Sequence, residues 1–519
     1  MATRVGLALS AAVLALTSTS AVETVPEEEP FTGPVARATC RAGDLVETGV
    51  QGQVPLPDRL NGRAADGYNC NLDLIASVGD TTGTPTPKVY GGVSLDSYKD
   101  CLYQAIASAD GVLGRGGTEV LDMSDSRNPV RTALLPVNPA ESLRVHAGRG
   151  LLAGVHEDLS FKIYSIKEDC RHPRLLFSGA VPGIGDSHEG WFSPDGMVYF
   201  AGWGTDSELP SLAIDVTDTA QPRPLATFSR HVHGGATSED GTRTYVAHIG
   251  PEDKDNRGGD TNPSELLIYD SSQLRHGHMR LLSRLTLANT QWSHGFFPVR
   301  YGNRKYLLQY GERGLNSVGF GGMGCTSQTL SPFQYPNIID ISDERRPRIV
   351  ATLTQEIGEP ARCASALNFD RPAFPRNTPF VPTLGIYAAF SYGTHMCRPD
   401  RLDNPTILAC SGFASGLRVY DIRDPRSPRE LAYFNPGTLG PADPAPDFTV
   451  SPPVVRARDG EIWFNSLFSG LQVVKFAPGT YPFTSSLTCG DYMFAQYNDC
   501  TACVRPASGR GDDGLACPP

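Results

Sequence analysis

The 519-residue chain is 40% hydrophobic and 19% charged, the proportions of an ordinary globular protein. Its formal net charge of −11 argues against nucleic-acid binding and against attachment to anionic membrane surfaces. The 54 Gly and 42 Pro are what many short strands joined by tight turns require.

In chain order, the first feature is a positive residue, Arg4, ahead of an apolar run from Val5 to Leu16 and the small residues Thr19-Ser20-Ala21. This pattern reads as a cleaved secretory signal over residues 1–21. The run is too short to span a bilayer, and no later apolar segment is long enough, so no membrane span is expected. The mature chain is expected to be secreted, or to lie in the periplasm or at the cell surface. Residues 22–65 are acidic and then rich in Pro and Gly, which predicts a linker or surface strap.

Strand signals begin near Asn69. The segment CNLDLIASVG from Cys70 alternates polar and apolar residues and resembles the last strand of a blade. Five later stretches are versions of one phrase: VLDMSDSRNPVRTALL from Val120, AIDVTDTAQPRPLATF from Ala213, LIYDSSQLRHGHMRLLSRLTL from Leu267, IIDISDERRPRIVATL from Ile338 and VYDIRDPRSPRELAYF from Val419. Weaker copies start at Phe161 and Leu471. A unit of roughly 40–50 residues repeated about seven times predicts an all-β fold, a seven-bladed β-propeller over residues 66–484. The seventh repeat lacks a final strand, so the segment from Cys70 is expected to complete it and close the ring.

Blade three shows the pattern of one repeat. HEGWFS is the inner strand, Pro194-Asp195-Gly196 a hairpin turn, MVYFAGWG the second strand, SLAIDVTD the third and PRPLATF the outer one. Asp-Gly recurs at Asp240-Gly241 and Asp459-Gly460, with Gly302-Asn303 in its place in blade five. The recurrent Asp122, Asp215, Asp270, Asp340 and Asp421 are expected to order turns rather than to catalyse. Insertions from Gly314 in blade five and from Cys397 in blade six are placed between second and third strands, on the face where the inner strands begin. All 12 Cys follow the signal, which predicts disulfides in an exported chain. Cys397 and Cys410 are expected to close the insertion that they bracket, and Cys489, Cys500, Cys503 and Cys517 to staple a tail over 485–519. Spacing leaves the pairing of the other six open.

The histidines fall in register. Seven residues before Asp195 and Asp240 stand His188 and His233; the same count gives His294 in blade five and Glu141 in blade two. A propeller brings such positions together at its axis, so three imidazoles and a carboxylate should converge there. The ends of the second strands should bring His156, His248 and His395, with Tyr310 and Glu312, to the same face. Three imidazoles with one carboxylate suit Cu, Fe, Zn or Mn and leave positions open for water or substrate. Glu141 is a fourth ligand or a general base, and Glu189 a second candidate base. No Gly-x-Ser-x-Gly, phosphate loop, dinucleotide fingerprint or His-Glu-x-x-His occurs.

The segment from Ala409 to Pro436 (ACSGFASGLRVYDIRDPRSPRELAYFNP), with SYGTHMC before it, resembles the exported bacterial LVIVD-repeat proteins. EDCRHPRLL from Glu168 and the blade-three start HEGWFSPDG are similar to members of the same family. The resemblance implies a seven-bladed, secreted or surface-located propeller and no uniform activity. Two functional readings follow. One is a metal-dependent oxidoreductase acting on a small molecule, with His188, His233 and His294 as ligands and His156, His248, Glu312, His395, Trp203 and Tyr310 lining the substrate funnel. The other is a surface scaffold that docks a protein or glycan through top-face loops, with Trp203, Phe320 and Phe333 as aromatic contacts.

Overall fold

The computed structural model describes residues 29–79, 91–106, 116–137, 141–156, 159–184, 187–202, 211–228, 232–249, 263–313, 329–363, 392–440 and 443–481. The expected signal, most of the blade-five insertion, the Cys-rich tail and Trp203 lie outside them.

Within the described residues, seven antiparallel sheets form the seven blades of a β-propeller. Blade three runs Gly190–Phe192, Val198–Ala201, Leu212–Asp215 and Arg223–Thr227, each strand paired with the next. Ring closure is as the sequence predicted. Leu72–Val78 pairs antiparallel with Gly470–Phe476 and supplies the outer strand of blade seven. One residue earlier the chain turns at Asn71, with φ 59°, and Tyr68–Cys70 adds a fifth strand to blade six against Arg429–Asn435. The N-terminal segment therefore belongs to two adjacent blades.

The hydrophobic core lies between neighbouring blades, because each sheet is apolar on both faces. Between blades two and three, Leu151, Ala153 and Ile163 meet Phe192, Tyr199 and Ile214, all buried. Each Leu, Ile or Phe side chain among them contributes about 1.5–3 kcal/mol on burial, and the interface repeats around the ring. The hairpins have the expected chemistry: Gly196, Gly241 and Gly460 take φ of 66°, 70° and 66°, which a Cβ would oppose. Asp195 Oδ1 accepts the Met197 N–H at 2.9 Å and holds the turn.

The recurrent Asp does what the turn reading expected. At the end of five of the seven third strands its Oδ1 accepts the N–H two residues on, at Asp122–Ser124, Asp215–Thr217, Asp270–Ser272, Asp340–Ser342 and Asp421–Arg423. An arginine then pairs with the same carboxylate, for example Arg223 with Asp215 at 3.0 Å.

One placement is corrected. Cys397–Pro399 is the inner strand of blade six and Ile407–Ser411 its second strand, so the segment from Cys397 is their hairpin rather than an insertion between second and third strands. That hairpin lies on the face opposite the one expected. The Cys397–Cys410 disulfide does form, as a cross-strand link between directly paired residues. The misreading has a physical cause: this hairpin uses a seven-residue loop built on Asp400, whose carboxylate accepts from Thr406, instead of an Asp-Gly turn. Cys40–Cys70 and Cys101–Cys170 are the other disulfides whose two partners are both described.

Residues 29–66 run along blades five and six. Phe31, Pro34 and Ala36 make parallel bridges to Ala351, Thr354 and Arg429, and Cys40 is bonded to Cys70. Glu47 reaches inward to Arg418, whose guanidinium also holds Glu430 at 3.0 Å.

Away from the axis, His146 carries a pH dependence. Its Nδ1 accepts the Arg149 N–H at 3.1 Å, so its Nε2–H donates to the Pro194 carbonyl at 3.0 Å. Burial pushes the imidazole below its ordinary 6.5, outweighing the Pro194 carbonyl and Asp195; Arg149 pushes it the same way. Between 6.5 and its lowered folded value the unfolded chain binds this proton more fully than the folded chain, so stability falls as pH drops through that range. Chemical denaturation from pH 7 to 5 should show the wild type losing stability by up to about 1.4 kcal/mol per pH unit more than His146→Gln. Parallel pH profiles for the two proteins would refute the assignment.

Candidate metal centre

The start of the inner strand is where the histidines were expected to meet, and two β-bulges aim them there. In blade four, Val232 pairs with His248 and Gly235 with Val246, so His233 and Gly234 together oppose Ala247. In blade five, Ser293 pairs with Gly311 and Gly295 with Tyr310, leaving His294 as the extra residue. A bulge rotates its side chain out of the strand's alternation, here toward the axis. Gly234 is required at its position: a Cβ there would overlap the His294 carbonyl and the Glu189 carboxylate.

Glu141, His188, His233 and His294 lie together at the axis, but His294 falls in a separate ligand group from His188 and His233. The His233 and His294 rings stack with centroids 4.1 Å apart, and His188 stacks on His233 at 4.7 Å. Glu141 is buried beneath them, 3.4 Å from His188 Nε2 and 3.2 Å from His294 Nδ1 through the same oxygen. That oxygen accepts no hydrogen bond, and neither does the buried His233 Nδ1 engage one.

Two residues assigned to the funnel belong to the cluster itself. Glu312 Oε1 lies 2.6 Å from His294 Nε2 and 3.3 Å from His395 Nε2. His395 does not end a second strand, as expected; it precedes the inner strand of blade six, the same register as His188, His233 and His294. The reason is the hairpin correction above, which moves the whole segment one strand inward. Its Nε2 is also 3.3 Å from Glu141 Oε1.

The outer contacts set the ring orientations. His395 Nδ1–H donates to the Val450 carbonyl, and His294 Nδ1–H to Glu189. In both rings the Nε2 atom is thereby turned into the cluster, the arrangement that metal-binding imidazoles use. Glu189 thus stands behind His294, with Arg144 at 3.4 Å on its other side. Val450, Gly234 and Arg144 carried no recognisable signal in the sequence.

Tyr310 is 6.3 Å from His294 between ring centroids, stacked over it. His248 is buried but pairs with Glu265 at 3.4 Å, and His156 lies at a turn closed by Ser160; neither belongs to the cluster. Phe333 is fully buried in a core, which removes it as an exposed contact. Phe320, like Trp203, lies outside the described residues.

The electrostatics follow from three buried carboxylates around imidazoles. Burial opposes charge on Glu141, but His294, His188 and His395 together hold it down at about 2. Burial likewise opposes charge on His395, yet Glu141 and Glu312 raise it to about 9. His294 is raised well above the ordinary histidine value by Glu141, Glu312 and Glu189 against its burial. His233, with burial dominant and His294 beside it, is pushed well below that value.

These residues fit a metal ion. Within each of two groups, Glu141–His188–His233–Glu312 and Glu141–His294–Glu312–His395, one donor atom per residue lies within 4.8 Å of the others. Donors about 2.0–2.1 Å from a tetrahedral ion are about 3.3 Å from one another. The 3.4 and 3.3 Å separations of Glu141 from His188 Nε2 and His395 Nε2 match that edge. His188 keeps 29% of its side chain exposed and gives the cluster an edge toward solvent. Along the axis lies a cavity of about 70 Å³, lined by Arg144, Glu189, Trp191, Phe297, Tyr310 and Arg398 among others.

Fold and site together define a class: a seven-bladed propeller with a buried histidine–carboxylate constellation at its axis that can hold metal. No protein-family model and no curated protein matches the sequence. Among solved structures, hydrazine synthase of Kuenenia stuttgartiensis is similar over 77% of this chain and 99% of that one, at 12% identity and a TM-score of 0.44. A likeness of that degree carries no argument about chemistry.

Proposed function

We propose that the protein is an exported metal-dependent enzyme of the LVIVD-repeat type, an oxidoreductase acting on a small molecule at the axial site. The observation that supports this most is the convergence of four imidazoles with the buried Glu141 and Glu312, in which Glu141 Oε2 and His233 Nδ1 are buried donor atoms that engage no hydrogen bond. A bound transition metal would supply Lewis acidity or electron transfer there. His188, His233 and His294, with Glu141, would supply ligands to metal at this centre. Glu189 accepts the His294 Nδ1–H and lines the cavity, and in this reading it would take a proton from a molecule bound there. The small cavity and its two arginines favour a compact, polar or anionic substrate. Export is supported by the signal-like N-terminus and by the disulfides, and no helix among the described residues is long and apolar enough to cross a membrane.

Elemental analysis of protein purified without added metal tests the reading. The wild type should carry at least about one transition-metal ion per chain, and His233→Ala at most about half of that. Trace metal that is unchanged by His233→Ala would dismiss the proposal. An absorption spectrum of the same sample separates coloured copper or iron chemistry from zinc.

A further inference from the structure

The ligand set is too large and too evenly divided for a single ion. The two four-residue groups share both carboxylates, Glu141 and Glu312, and differ in their histidines: His188 with His233 in one, His294 with His395 in the other. His188 and His294 are 6.3 Å apart between ring centroids, and no group within mutual reach contains all four imidazoles. The two oxygens of Glu141 diverge, Oε2 facing His188 at 3.4 Å and Oε1 facing His395 at 3.3 Å.

We infer that the site holds a pair of divalent ions bridged by the carboxylates of Glu141 and Glu312, a conclusion that rests on the metal reading proposed above. One ion takes His188 and His233, the other the Nε2 atoms of His294 and His395. Each ion then has two imidazoles and a share of two carboxylates, which leaves coordination positions open on both. Two-metal sites place their ions about 3.5–4 Å apart, a distance that a carboxylate spans with its two oxygens. The His233 and His294 rings, one from each pair, stack with centroids 4.1 Å apart, so the two halves lie side by side. The outer partners match as well: Glu189 and the Val450 carbonyl fix the two imidazoles of the second half. Such a pair can bind an oxygen- or nitrogen-donor group between its ions, and the adjoining cavity of about 70 Å³ with Arg144 and Arg398 in its lining suits a compact anionic substrate that carries one.

The experiment is titration of chelator-treated full-length protein with Mn(II), followed by low-temperature electron paramagnetic resonance. The wild type should bind about two ions per chain and show an exchange-coupled spectrum rather than that of an isolated ion. His233→Asn and His395→Asn should each lose about half of the bound Mn(II) and show only the isolated-ion spectrum. Glu141→Gln, which weakens a shared ligand, should lower occupancy of both positions. His188→Asn replaces His233→Asn if circular dichroism shows that variant unfolded. One ion per chain, abolished alike by either histidine variant, overturns the pair while leaving the metal reading standing. No stoichiometric Mn(II), Co(II) or Zn(II) overturns both.

Discussion

Metal-free His294→Ala protein should be about 3–5 kcal/mol less stable than metal-free wild type. His294 is fully buried and touches three carboxylates, Glu141, Glu189 and Glu312, all themselves buried. With no metal bound it is their central counter-charge, since those carboxylates raise its pKa well above the ordinary value even against its burial. Alanine removes the cation, leaves the carboxylates facing one another and opens a cavity. The deficit should shrink as pH falls, because protonated carboxylates need no counter-charge. It should also shrink on adding a divalent ion, which replaces the lost charge. Urea unfolding in the presence of chelator, then with Zn(II) or Mn(II), reads both effects. Wild-type stability of the variant under chelation would show that the cluster is not held by this charge arrangement.

Arg418→Met should have an effect of similar size at a site with no metal. The Arg418 side chain is 1% exposed and neutralises Glu47 and Glu430, which are 4% and 1% exposed. It also donates to the Ser415 carbonyl at 2.8 Å and lies 4.7 Å from the centroid of the Tyr433 ring. Methionine fills the volume of the stem but strands two buried carboxylates, and breaking such a pair costs about 3–5 kcal/mol. Burial already pushes Glu47 above the ordinary carboxylate value, opposed mainly by Arg418. Because Glu47 belongs to the N-terminal strap, hydrogen exchange should accelerate first across residues 41–55. The control is Arg37→Ala: its pair with Glu356 is 45% and 28% exposed, and its loss should cost at most about 1 kcal/mol. Equal losses from the two variants would contradict the burial argument.

The candidate centre was legible where the blade repeat was regular. Counting seven residues back from Asp195 and Asp240 finds His188 and His233 because an inner strand and a two-residue turn have fixed length. The same count gave His294 and Glu141, although the bulges at His233–Gly234 and His294 were invisible in the sequence. It failed at His395, because blade six replaces the short turn with the loop around Asp400 and so hides where its inner strand lies. Glu312 was assigned to the right face and to too modest a role. Glu312 lies on the second strand opposite the bulged stretch Gln291–Gly295 of its own blade, a pairing that neither segment reveals alone.

Local sequence determined the repeat, the hairpins, the turn-forming aspartates and the closing strand at Leu72–Val78, since each depends on side-chain alternation or on φ preferences within a few residues. Tertiary structure decided how the histidines divide between two shared carboxylates, which ring nitrogen each presents, and that the 29–66 strap is clamped through Glu47. Those outcomes depend on distances between atoms contributed by separate blades. Such distances are set by the packing of whole sheets around the axis, and no short window of residues encodes them.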